Sequence, residues 1–162
     1  QLVLEGARLD AQRKVVKIYG AGGVSGLEAY QTGILISPEG HVLTVQSYVL
    51  DTDDLAVVLD DGRKFKGEVL GTDPVRELAV IKLPLEDETL PYFDLSAAPS
   101  AAIGDRVLAV SNLFNIAGGD EPVSVLQGVV TALAPRIGYV AAAAIANVAA
   151  SMRSRSMRPA PL

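Results

Sequence analysis

Few side chains in this 162-residue chain could do covalent chemistry. There is one histidine, His41, and no cysteine. Ser47 follows His41 by six residues in the stretch HVLTVQSYVL, 41–50. A serine hydroxyl is a poor nucleophile near neutral pH. It needs a base, usually histidine, and a carboxylate that orients the base. It also needs donors for the oxyanion, which contribute roughly 3 kcal/mol or more. A serine–lysine dyad is chemically open, yet nothing in the sequence puts Lys64, Lys66 or Lys82 beside a serine. His41 stands at the return of a hairpin and reads as a surface histidine. The missing cysteines exclude disulfides, thiolate zinc sites and cysteine nucleophiles. Asp51, Asp53 and Asp54 form an acidic group without the glycine and distal glutamate of an EF-hand loop, so they read as a solvated loop. Gly20-Ala21-Gly22-Gly23 lacks the following Lys-Ser/Thr of a phosphate loop. No cofactor and no metal is expected.

The elements that must hold these residues are short strands. Val15 to Tyr19 is β-branched and reads as a strand, and the four glycines between Gly20 and Gly26 read as a loop. Thr32 to Ile36 and His41 to Val45 flank the turn Ser37-Pro38-Glu39-Gly40, a hairpin signal. Leu55 to Leu59 is a strand, ended by the tight turn Asp60-Asp61-Gly62, and Lys64 to Leu70 returns. Leu78 to Leu83 is an apolar strand bounded by Pro74 and Pro84. Arg106 to Val110 and Val123 to Leu133 follow. Evenly spaced short strands with turn residues between them indicate an antiparallel sandwich or barrel. Residues 1 to 14 read as a short helix or arm. From Tyr139 the chain has no glycine and eight alanines, with Ile145, Val148 and Met152 on one helical face. Arg153, Arg155 and Arg158 mark a solvated tail.

Composition narrows the partners. Hydrophobic residues make up 49% and charged residues 20%, as in ordinary globular proteins. A net charge of −5 does not favour a phosphate-binding face, so no nucleic acid is expected. The small-apolar run from Ile137 to Ala150 falls short of the roughly 20 residues a membrane-spanning helix needs. The start at Gln1 without methionine is what a processed chain would show.

Five stretches occur in an order that resembles the HtrA/Deg branch of the trypsin-like serine proteases. They are Thr32-Gly33 through Thr44, DDGRKFKGEVLGTD (60–73), ELAVIKL (77–83), IGDRVLAVSNLFN (103–115) and VLQGVVTAL (125–133). The resemblance covers about residues 15 to 136. It implies two six-stranded β-barrels with a cleft between them. The family's catalytic histidine ends a T-N-N-H motif; the matching residues are Thr44-Val45-Gln46-Ser47, so Ser47 stands at the base position. The family's orienting aspartate precedes L-A; here Glu77 does. The nucleophile motif has a faint counterpart from Tyr139, with Ala144 and Asn147 matching and Ser151 at the nucleophile. Ala149, Met152 and Arg153 replace the glycines that let the backbone curl into an oxyanion hole.

The expected architecture is an all-β, trypsin-like double β-barrel. The first barrel is complete, the second partial, and a short helix or tail closes the chain. The expected division is an N-terminal arm at 1–14, a first barrel at 15–100, the start of a second at 101–138, and an Ala-rich segment with an Arg/Pro tail at 139–162. The triad-equivalent positions Ser47, Glu77 and Ser151 are degenerate, so the resemblance points to an inactive protease-like module that binds a protein or peptide. Two alternatives remain open: a serine endopeptidase with an unusual base, and a structural subunit of a larger envelope complex. For Glu77 the reading is a solvated carboxylate or one paired with Arg76 or Lys82. The resemblance further implies a periplasmic or envelope location and a capacity to form homo-oligomers.

Overall fold

The computed structural model describes residues 2–20, 29–97, 100–115 and 121–133. It opens with a helix, α1, Leu2–Arg13. Glu5 in its first turn and Arg13 in its last complement the helix dipole. Nine strands follow among the described residues: β1 Val15–Gly20, β2 Ala29–Leu35, β3 His41–Val45, β4 Leu55–Val58, β5 Lys64–Lys66, β6 Glu68–Asp73, β7 Leu78–Lys82, β8 Arg106–Ser111 and β9 Ser124–Val129. The expected all-β architecture holds.

β1 to β7 form one antiparallel sheet in the order β5-β4-β1-β2-β3-β7-β6, and β8 pairs with β9 in a second. The outer strands of the large sheet, β5 and β6, are consecutive in the chain. Between them Gly67 donates its N–H to the Leu55 carbonyl at 2.8 Å, so the sheet curls back on itself. The sequence reads Lys64 to Leu70 as one strand. The structure bends it at Gly67, and its two halves pair with different neighbours, β4 and β7.

Period-two alternation explains why the central strands are apolar on both faces. Val16, Ile18, Leu35, Val42, Val57 and Ile81 point into the curl of the large sheet. Their neighbours Val15 and Ile34 point outward and pack with Ala11 of α1, with Leu108 and Val110 of β8, and with Val123 just before β9. Burying each such side chain contributes roughly 1.5–3 kcal/mol. Three polar links join the layers. Gln12 Nε2 donates to the Val123 carbonyl at 3.0 Å, the Asn112 N–H donates to Thr32 Oγ1 at 3.0 Å, and Lys17 Nζ donates to the Glu121 carbonyl at 2.8 Å.

The turn at Asp60-Asp61-Gly62 forms as the sequence indicates. Gly62 has φ 85°, a conformation open to glycine. No helix among the described residues is long and apolar enough to cross a membrane.

Candidate functional site

Strand register builds the site. β3 and β7 pair antiparallel with Val45 opposite Leu78 and His41 opposite Lys82. One residue past the first pair, the Gln46 N–H donates to the Glu77 carbonyl at 2.8 Å. The pairing therefore delivers Ser47 and Glu77 to the same end of the sheet, where both line one cleft of about 630 Å³. Gln46, Tyr48, Leu50, Asp51, Val69, Thr72 and Pro74 complete its walls.

Ser47 is a structural cap. Its backbone is extended, with φ −149° and ψ 171°, and a single 3-10 turn, Tyr48–Leu50, begins after it. Its Oγ accepts from the Val49 N–H at 3.2 Å. The hydroxyl donates to Gln31 Oε1 at 2.6 Å. Gln31 is buried on β2 and continues the chain of bonds. Its Nε2 donates to Thr44 Oγ1 at 2.7 Å and to the Val45 carbonyl at 3.0 Å. Thr44, fully buried, donates in turn to the Thr32 carbonyl at 2.9 Å. Each buried polar group here has a partner, as buried groups must. The network uses the Ser47 proton and leaves no imidazole within reach of the cleft.

The turn is seated on β1. A Cβ added to Gly20 would lie 2.2 Å from the Val49 carbonyl oxygen, so only glycine lets the turn approach this closely.

Glu77 is exposed, and its backbone sits in the left-handed region at φ 54°. The turn before it is held by Asp73. One carboxylate oxygen accepts from the Val75 and Arg76 N–H groups at 3.0 Å each, and the other from Arg76 Nη1 at 2.7 Å. Arg76 holds the Asp73 carboxyl below the usual aspartate range, mainly through that side-chain hydrogen bond. Arg76 is therefore committed to Asp73. Lys82 Nζ donates to the Glu39 and Leu83 carbonyls. Glu77 makes no ion pair among the described residues. This corrects the pairing with Arg76 or Lys82: the solvated reading is the one the structure bears out.

His41 lies at the opposite end of β3. At 3.3–3.4 Å per residue, five strand residues separate the strand ends by about 13 Å. Its Nδ1 is 2.7 Å from Ser37 Oγ, within the hairpin turn. Lys64 and Lys66 sit exposed on β5, and neither they nor Lys82 make a hydrogen bond with Ser47. Asp51, Asp53 and Asp54 are exposed, and Asp51 lines the cleft. Among the described residues no three His, Cys, Asp or Glu side chains group to hold a metal. Ser151, the helical face at Ile145, Val148 and Met152, and the arginines of the tail lie outside the described residues. Gln31 is the residue that sequence reasoning missed. In sequence that strand reads from Thr32, one residue after Gln31, so nothing local marked it.

Comparison with known proteins gives this geometry a setting. Residues 31–156 match a family model described as a trypsin-like peptidase domain. A probable periplasmic serine endoprotease DegP-like of Chlamydia pneumoniae is 38% identical over 85 residues, 52% of this chain and 17% of the relative. A protein of the same description from Bartonella henselae is 34% identical over 110 residues, 68% of this chain and 21% of the relative. Both are several times longer than the matched region, so the chain spans about a fifth of their length. Among solved structures, an HtrA-type protease with a tripeptide superposes with a TM-score of 0.66 at 28% identity. The match covers 79% of this chain and 39% of that one.

Proposed function

This chain belongs to the trypsin-like peptidase domain family, in its HtrA branch, and from that premise we propose that the domain does not cleave peptide bonds and serves as a protein- or peptide-binding module. One observation carries the reading. By the resemblance of Thr44-Val45-Gln46-Ser47 to the family's motif, Ser47 stands where the family places its base, and its hydroxyl is bound into a structural network with Gln31 and the Val49 N–H. A serine cannot take a nucleophile's proton near neutral pH, so the division of labour among base, nucleophile and orienting carboxylate fails at its first member. The one histidine of the chain is bonded to Ser37 at the far end of β3. What remains is an open cleft at one end of the large sheet, which a binding module can use. The relatives described as periplasmic favour an extracytoplasmic location for this chain too.

The test is labelling of the pure, folded protein with a fluorophosphonate probe, beside trypsin as a positive control, together with casein cleavage. The expected outcome is labelled trypsin, an unlabelled chain and intact casein. Labelling or casein cleavage that Ser151→Ala abolishes would establish an active endopeptidase instead.

A further inference from the structure

The cleft beside Ser47 borders an open sheet edge. β6 hydrogen-bonds to β7 on one side and has no strand partner on the other among the described residues. Residues 68 to 72 of this strand are exposed, with Leu70 at 54%. Such an edge presents free N–H and C=O groups and is a template for an added strand. The register between β6 and β7 jumps between Val69 and Gly71, so the ladder is interrupted at Leu70. The regular part beyond it, Gly71 to Asp73, runs past the cleft, which Thr72 lines.

Charge selects the occupant. The nine lining residues include two carboxylates, Asp51 and Glu77, and no cation. Neither carboxylate has an ion-pair partner among the described residues, while the nearby Arg76 is committed to Asp73. Tyr48 stands at the wall with 72% of its surface exposed, which leaves its ring face open to a cation. Resting on the binding-module reading above, we propose that this cleft and the adjoining edge of β6 take an extended basic peptide. Its backbone pairs with Gly71 to Asp73, and a lysine or arginine side chain enters between Asp51 and Glu77 against the Tyr48 ring. The bulge keeps the added ladder short, so the cation supplies most of the selectivity.

The full chain is titrated into a fluorescein-labelled octapeptide of alternating valine and lysine, followed by fluorescence anisotropy. Three comparison titrations accompany it: the valine–glutamate counterpart, the lysine peptide N-methylated at alternate amides, and the lysine peptide with Asp51→Asn or Glu77→Gln protein. The expected result is saturable binding of the lysine peptide, weakened by salt and by about fivefold in each carboxylate variant, as for a partly exposed ion pair. The glutamate peptide should not bind, and N-methylation should weaken binding because it removes strand donors. No binding of the lysine peptide, equal binding of the glutamate or N-methylated peptide, or carboxylate variants with unchanged affinity each overturn the proposal. Mass spectrometry of the recovered peptide separates this result from the function test. A cleaved peptide refutes the non-cleaving reading while binding stands; an intact, unbound peptide refutes the peptide site alone.

Discussion

Ser47 works in this structure as a cap and as one link in a hydrogen-bond network. Its hydroxyl donates to Gln31 and accepts from Val49, two bonds that an imidazole of different shape would not reproduce. Ser47→Ala removes the cap of the 3-10 turn and leaves Gln31 Oε1 without its donor. Loss of a cap costs about 1 kcal/mol and a stranded buried acceptor about 1–3 kcal/mol. The variant should therefore lower the urea midpoint by the equivalent of about 1–3 kcal/mol with an unchanged slope. An unchanged midpoint would mean that the network carries no stability. Asp73 sets the turn that leads into Glu77. Its pKa is depressed, mainly by the Arg76 side chain. A depressed carboxyl contributes stability that is present above the ordinary aspartate range and is lost as pH falls through the folded value. Arg76→Ala should raise the Asp73 pKa toward the ordinary value in a carboxyl-detected NMR titration. A titration curve that does not move would show that the backbone N–H groups alone hold it.

At the scale of elements, the β3–β7 register does what no local signal could. It brings residues 47 and 77 to the same cleft at one end of the sheet and sets residue 41 opposite residue 82. The strands themselves were legible, because alternation and turn residues leave a local trace. The positions of Ser47 and Glu77 were legible too, as the residues just past and just before apolar strands that resemble the family's. Gln31 was not, because its bond to Ser47 spans 16 residues of chain and depends on how β2 lies against β3. The break at Gly67 was hidden for a related reason: Lys64 to Leu70 has one continuous strand pattern, and only closure of the sheet divides it. The solvated state of Glu77 is not legible because two cations, Arg76 and Lys82, are near it in sequence, and turn geometry decides which carboxylate Arg76 meets. The 3-10 turn depends on an equally long-range contact, Gly20 against the Val49 carbonyl. Gly20→Ala forces that turn off β1. Overpacking of this kind costs typically 1–3 kcal/mol, and here the displaced atom is backbone. Thermal unfolding should show the loss, and the Tyr48 ring resonances should shift with the turn that carries them. Wild-type stability with unmoved Tyr48 resonances would contradict the seating of the turn.

Over the whole molecule, the large sheet and the β8–β9 pair share one apolar layer and a small number of polar links. Gln12 is the most buried link on α1, 5% exposed. Its Nε2 reaches the Val123 carbonyl while its Oε1 accepts from Arg8 Nη1 at 2.8 Å, so the helix holds the entrance to β9 directly. The large sheet has its own interior, the cluster inside the curl, which contains no residue of β8 or β9. Among the described residues the second sheet has no such interior. Leu108 and Val110 of β8, and Val123 just before β9, pack in the layer shared with α1, β1 and β2. Stability should therefore be uneven, with β8–β9 opening before the large sheet. Gln12→Leu keeps the helix apolar and near its volume but strands the Val123 carbonyl, at a cost of about 1–3 kcal/mol. Hydrogen exchange read by mass spectrometry should show faster exchange in peptides covering residues 106–111 and 121–129, with peptides from β1, β2 and β4 unchanged. An equal loss of protection across both sheets would mean that the two unfold as one cooperative unit and that the interior of the curl does not stand alone.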